Sequence, residues 1–272
     1  MTRAIFWLLM LFILPTPPVQ AAPSSEYWKL WDKSNEQSLK SVDHSAWGQF
    51  LERYLKVSPD VEGRVLAYGK VSAEDRTRLK EYIQSLTKVD PRQYSRAVQM
   101  AYWINLYNAL TVELILENYP VKSITKIGPW YAFGPWDQEL TKVAGQSLSL
   151  NDIEHRILRP LWQDKRIHYA VNCASKGCPD LASEPYTAVN LEKMLAEASR
   201  RFINQKKGVE FVGGKLVLSR IYEWYGEDFG ARKDLLVHLK ANANEKLKKR
   251  LEKYTGLIDY RYDWSLNDSK GR

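Results

Sequence analysis

The longest apolar stretch runs from Ser95 to Asn118, where Met100, Ile104, Leu106, Leu110, Leu114 and Ile115 stand among other apolar residues and leave almost no polar side. A helix that is apolar nearly all round is a buried helix, and Pro120 predicts its end. Asn105 and Asn108 stand three apart on one face of it. A buried amide left unpaired costs about 1–3 kcal/mol, so these two are expected either to bond a neighbouring backbone segment or to orient something in a site. Upstream, residues 27–86 read as several short helices with apolar faces supplied by Trp28, Trp31, Trp47 and Phe50.

Downstream the pattern breaks into shorter pieces. Gly128 to Trp136 is an aromatic loop whose Gly and Pro residues forbid regular structure, and it could cap the core or line a groove. A hairpin turning near Gly145 leads to Ser149-Leu-Asn-Asp152, which fits a capping box, and so to a helix through Arg159 stopped by Pro160. Arg166 to Asn172 alternates as a half-buried strand does. A helix over 189–204, a hairpin around Gly213-Gly214, helices near 220–225, 233–240 and 245–254, and an alternating strand from Ile258 follow. Helices outnumber strands, and the strands are too few for a wound parallel sheet. The predicted class is α+β, a helix-rich single domain with a small, mostly antiparallel sheet.

The first residues change the picture of where the chain works. Arg3, the apolar run Ala4 to Leu14, Pro15, Pro17 and Pro18, and then Val19-Gln20-Ala21 have the layout of a cleavable secretory leader. At about 1.5 Å per residue such a run covers only about half of a roughly 30 Å hydrocarbon layer, so no stable membrane span is expected once the leader is cut. The expected location is periplasmic or secreted. The formal charge of +8 favours an anionic envelope substrate or ligand, although many of the lysines occupy the outer side of one helix near 242–253. Nucleic acid is not an expected partner of an exported chain.

Four segments carry a resemblance: Tyr102-Trp-Ile-Asn-Leu-Tyr-Asn-Ala109, Leu150-Asn-Asp-Ile-Glu-His-Arg-Ile-Leu-Arg159, His168-Tyr-Ala-Val-Asn-Cys-Ala-Ser-Lys-Gly-Cys-Pro179 and Tyr222-Glu-Trp-Tyr-Gly-Glu-Asp-Phe229. With the ending Tyr262-Asp-Trp-Ser-Leu-Asn267, they resemble the domain of unknown function 547 family in its bacterial exported form. The resemblance implies a unit over about residues 90–267; the residue pattern places before it a leader over 1–22 and a helical lead-in over 23–89 packed on it, and after it a disordered tail over 268–272. The resemblance implies almost nothing about activity.

Two of the four histidines, His155 and His168, lie within eighteen residues of Cys173, near the second cysteine, Cys178. A thiol becomes a useful nucleophile when an imidazole or a helix N-terminus stabilises its thiolate. Cys173 follows the expected strand at a chain reversal, where free backbone N–H groups can face an oxyanion. His168, five residues back along an extended strand, is about 16 Å away on the opposite face. His155 is therefore the expected base, with Glu154 or one of Asn105 and Asn108 orienting it. Histidine ahead of cysteine is the chain order of circularly permuted papain-like hydrolases, so the fold is loosely papain-like at best, by an analogy of order rather than a shared motif.

The plainer alternative is a Cys173 to Cys178 disulfide that stiffens the turn in an oxidising compartment. Glu154 and Arg159 could equally belong to a helix-surface ion network, and His44 and His238 read as surface residues. No paired zinc-ligand spacing is present, so neither a metal nor a cofactor is expected. Two functions stand side by side: a thiol (Cys-His) hydrolase or acyl-transfer enzyme on an envelope substrate, and a noncatalytic binding module that uses the aromatic loop and the basic surface.

Overall fold

The computed structural model describes residues 22–57 and 62–269; the expected leader, save Ala22, and the last three residues of the expected tail lie outside them. Helix α1 (Ser45–Tyr54) runs into an antiparallel hairpin of β1 (Leu55–Val57) and β2 (Arg64–Leu66). Three-residue strands are too short to show a period, which is why the sequence suggested only helices there. Helix α2 (Ala73–Thr87) is capped by Ser72, whose hydroxyl accepts from Asp75 N, with Glu74 and Asp75 placed to suit the helix dipole. It packs on α3 (Arg96–Glu117), the all-round apolar helix, which is buried along nearly its whole length. Trp31, Trp47, Leu86, Leu150, Ile153 and Leu195 close around it in one core. Each such side chain fully buried contributes roughly 1.5–3 kcal/mol.

A second hairpin, β3 (Thr141–Val143) and β4 (Gln146–Leu148), turns at Ala144 and Gly145 with φ of 46° and 84°. The capping box forms as expected: Asp152 N donates to Ser149 Oγ at 3.1 Å and Ser149 N to Asp152 Oδ2 at 2.9 Å. The helix it opens does not stop at Pro160. Its first part, Asp152–Leu158, is π-helical and continues as α4 (Arg159–Trp162). Arg159 N–H reaches back five residues to Glu154 O. In that pattern the N–H that proline lacks would have served His155 O. Glu26 N donates to that carbonyl instead, at 2.9 Å, so the helix crosses its proline without an orphaned acceptor.

The expected strand over 166–172 is a correction. Lys165–Tyr169 is a 3-10 helix capped by Asp164, and the residues after it are irregular. Both faces of 167–172 are buried, so the apolar alternation carried no information about a sheet. Tyr169 belongs to a second, smaller core with Phe202, Leu218, Tyr222, Phe229 and Leu239, while Ile167, Ala170 and Val171 belong to the first. The segment threads between the two.

The second core is built from α5 (Leu191–Ile203), β5 (Val209–Val212), β6 (Lys215–Ser219), α6 (Ile221–Trp224), α7 (Gly226–Phe229), α8 (Arg232–Asn242), α9 (Glu245–Glu252) and β7 (Ile258–Arg261). β5 and β6 form the hairpin expected at Gly213-Gly214, both with positive φ as the tight turn requires. β7 joins β6 in parallel, Leu216 facing Ile258, because the four helices between them return the chain to the same end of the sheet. The molecule is a helix-rich α+β domain with small, mostly antiparallel sheets. Asp268 is not free tail: it bridges to Leu66, and Ser269 N donates to Leu66 O at 3.1 Å. Among the described residues no helix is long and apolar enough to cross a membrane.

His44 and His238 also depart from the surface reading. His44 is buried with Nδ1 2.7 Å from Tyr82 OH, and half-buried His238 places Nε2 2.8 Å from Tyr169 OH.

Candidate functional site

A cleft of about 870 Å³ opens where the two cores meet, within the size range of small-molecule sites. Cys173, Cys178, Glu154, His155 and His168 line it, opposite aromatic residues including Trp136, Trp224, Tyr262 and Trp264. The aromatic loop does more than cap the core: Tyr131, Phe133 and Trp136 line the cleft, and Trp130 and Tyr131 are 95% and 76% exposed. Asn105 and Asn108 do not reach it.

What the two asparagines do follows from their hydrogen bonds. Asn105 Nδ2 donates to Tyr186 O at 2.7 Å, and its oxygen accepts from Tyr186 N at 3.0 Å. Asn108 Nδ2 donates to Ala170 O at 2.9 Å, and its oxygen accepts from Asn172 N at 2.8 Å. A primary amide presents one donor and one acceptor side by side, as a neighbouring strand would, so Asn108 replaces the strand partner that 170–172 lacks. Both are positioning residues for backbone, and Asn108 holds the residue next to Cys173.

The loop after Asn172 is fixed on every side. Asn172 Nδ2 donates to Pro179 O at 2.7 Å, closing the loop across its base, and Ala174, with φ 57°, donates its N–H back to Asn172 Oδ1. The chain end lies along it: Lys176 N donates to Ser265 O, Gly177 N to Asp263 O, and Asn267 N to Ala174 O. At Gly177 a Cβ would sit 2.7 Å from Asp263 N, so this close approach requires glycine. The same chain end delivers Tyr262, whose hydroxyl lies 3.0 Å from Cys173 Sγ and 2.8 Å from Ser175 Oγ.

Cys173 Sγ is thus surrounded by Cys178 Sγ at 3.0 Å, Tyr262 OH at 3.0 Å and Ser175 Oγ at 3.2 Å. Both thiols are free. The Cys178 thiol, with the Ser175 and Tyr262 hydroxyls, outweighs burial and the nearby negative Glu154 and holds the Cys173 thiol down at about 7. Burial pushes Cys178 well up, and the Cys173 charge adds to it. Cys173 is therefore the more readily ionised of the two, while Cys178 Sγ accepts from Cys173 N at 3.0 Å. No imidazole nitrogen of the described residues is within hydrogen-bonding distance of Cys173 Sγ.

The histidines form a separate cluster on the same cleft. His155 Nδ1 lies 2.9 Å from Arg159 Nη1. A guanidinium only donates, so Nδ1 accepts and the ring proton sits on Nε2, which has no hydrogen-bond partner among the described residues. Burial draws the His155 pKa down; Glu154 opposes this and Arg159 reinforces it. His155 is accordingly a neutral hydrogen-bond donor on the cleft wall, not a base paired with the sulfur.

His168 Nε2 lies 2.6 Å from Asp228 Oδ2, and its ring stacks on Tyr225 at 3.9 Å. Its Nδ1, 3.7 Å from Glu154 Oε1, is buried and unpartnered. Burial opposes the charge of Glu154, but His155, His168 and the Tyr225 hydroxyl outweigh it and hold the carboxyl at about 2. Asp228 is likewise held well below the usual range against burial, by His168 and Arg159.

Glu154 and Arg159 are no surface network. Arg159 is buried and grips Asp228 through Nε at 2.6 Å and Nη2 at 3.1 Å. Its Nη1 also donates to Pro23 O at 2.8 Å, which anchors the N-terminal segment at the edge of the cleft. Ser175, Tyr225, Asp228 and Tyr262 were not singled out by sequence reasoning. Each lies inside one of the quoted motifs, which was the available signal.

Fold and site together define a helix-rich α+β domain with a cysteine pair and a buried histidine–carboxylate cluster on one aromatic cleft. Residues 91–203 match the family described as protein of unknown function, DUF547. The match takes in both asparagines, both clefted histidines and both cysteines; Tyr225, Asp228 and Tyr262 lie beyond it. No curated protein and no solved structure matches the chain.

Proposed function

We propose that the chain is a thiol-dependent hydrolase or acyl-transfer enzyme with Cys173 as its nucleophile. The observation that carries this reading is a cleft-lining sulfur in contact with the Cys178 thiol and the Ser175 and Tyr262 hydroxyls. Such a thiolate is populated near neutral pH and needs no imidazole to remove its proton. The thiolate adds to an acyl carbon, and the C–S bond forms as the carbonyl electrons move to oxygen. A neutral His155, with its Nε2 proton toward the cleft, is suited to donate a hydrogen bond to that oxyanion. The leaving group departs with a proton from water, and water or a second acceptor then cleaves the thioester. Glu154, His168 and Asp228 act as positioning residues that keep the His155 wall polar and ordered.

The leader-like first residues support action outside the cytoplasm, in the periplasm or the medium, on an envelope substrate, and the net positive charge favours an anionic one. Purified protein incubated with thioester and activated-ester probes tests the reading. Acyl transfer to Cys173, lost in Cys173→Ala with an unchanged melting temperature, is the expected result; an unacylated wild-type protein overturns it.

A second reading, a noncatalytic binding module, is favoured by Trp130 and Tyr131, large rings standing in solvent beside the cleft. It requires that Trp130→Ala or Trp136→Ala weaken binding to envelope polymers while His155→Ala does not.

A further inference from the structure

The Cys173–Cys178 pair has a chemistry that neither acyl transfer nor ligand binding uses. The two sulfurs touch at 3.0 Å on one short loop. Both line the cleft, Cys173 half-buried and Cys178 buried at 5% exposed. Ser175 and Tyr262 hydroxyls face the Cys173 sulfur, while the Cys178 sulfur hydrogen-bonds with Cys173 and, at 3.9 Å, with Val171 O. Such an arrangement separates the roles of an attacking and a resolving thiol. The loop is pinned at both ends, and the two sulfurs are already in contact within it.

We propose that Cys173 and Cys178 form a peroxide-reactive modification site, in which Cys173 takes the oxidant and Cys178 resolves it as a reversible disulfide. The cleft admits a hydroperoxide to the Cys173 thiolate. Sulfur attacks the nearer oxygen, the S–O bond forms, the O–O bond breaks, and the departing alkoxide or hydroxide takes a proton to leave as alcohol or water. Cys173 is then a neutral sulfenic acid, and the charge that opposed ionisation of Cys178 is gone. The Cys178 sulfur, giving up its proton, attacks the Cys173 sulfur; the S–S bond forms, the S–O bond breaks, and hydroxide leaves with that proton as water. The thiol pair has lost two electrons and the peroxide has gained them. A dithiol reductant reverses the change.

Either proposed function leaves this site standing, since it needs only the two sulfurs. In the acyl-transfer reading it also makes the enzyme silent under oxidant.

The test uses the full mature chain, reduced and desalted, and treated with one equivalent of hydrogen peroxide. Lys176 lies between the two cysteines, so trypsin separates them unless they are bonded. The expected result is loss of both alkylatable thiols, a cross-linked tryptic pair joining the Cys173 and Cys178 peptides, and full recovery with dithiothreitol. In Cys178→Ser, dimedone should trap a sulfenic acid on Cys173. The wild-type peptide map decides by itself if that variant does not fold. Retention of both thiols, or sulfinic acid on Cys173 with a free Cys178, overturns the proposal. It does so whether or not the acyl probes react with the reduced protein, so the two readings fail separately.

Discussion

Replacing Tyr262 by Phe tests the physical basis of the Cys173 thiolate with the smallest change, the removal of one hydroxyl. The Cys173 thiol falls from 9.0 to about 7, a preference for the charged form on the order of 3 kcal/mol. Three groups supply this against burial, the Cys178 thiol first, then the Ser175 and Tyr262 hydroxyls. The Tyr262 hydroxyl, the last of the three, supplies up to roughly 1 kcal/mol, so Tyr262→Phe should raise the midpoint by about 0.5–1 unit. The assay is the pH profile of iodoacetamide alkylation, read by mass on the tryptic peptide that ends at Lys176. Reactivity rises with pH through the midpoint as the thiolate forms. Below the midpoint the variant has three- to ten-fold less thiolate, roughly. A more basic thiolate is also more nucleophilic, with a Brønsted slope of about 0.4–0.5, so the observed rate near pH 6 should drop only about two- to four-fold. Above the midpoint the variant should react faster than wild type. A wild-type midpoint at or above about 8.5 would refute the reasoning, as would a variant midpoint within about 0.2 unit of wild type.

Asn108→Ala leaves the buried Ala170 carbonyl and Asn172 N–H without partners; at about 1–3 kcal/mol each, the expected loss is about 2–6 kcal/mol. Calorimetry should show this as a melting temperature lower by about 5–15 °C, with Asn108→Asp no better because a carboxylate cannot donate to Ala170 O. Gly177→Ala forces a Cβ to within 2.7 Å of Asp263 N and 3.0 Å of Asp263 O, and a loss of about 1–3 kcal/mol in urea unfolding, with faster alkylation of Cys178, is expected. Burial lowers the His44 pKa from 6.5 to about 4, so the unfolded chain takes the proton first on acidification. Stability tied to His44 is full above pH 6.5, declines as pH falls toward 4, and the decline ends there, for at most about 3 kcal/mol. Urea midpoints compared with His44→Gln across that interval check the sign, and parallel curves for the two proteins would count against it.

The family segment and most helices were legible in the chain because their signals are local. An all-round apolar run over 96–117 can only be a buried helix, Ser149 and Asp152 satisfy each other's backbone N–H groups three residues apart, and Gly213-Gly214 admits the positive φ of a tight turn. The two cysteines and two histidines were likewise found as types at a spacing, and they do share one cleft. What the spacing could not say was which groups pair. The alternation over 166–172 predicts a strand, yet a strand needs a partner, and the Asn108 amide, 62 residues away from Ala170, took that place. The helix crosses Pro160 because Glu26, far upstream, supplies the N–H the proline lacks. His155 turns to Arg159 rather than to sulfur, and Cys173 is met by Tyr262 across 89 residues. Local backbone preference acts over three or four residues, whereas hydrogen-bond partners are chosen by which buried donors and acceptors the packed cores bring together, and only the tertiary structure decides that.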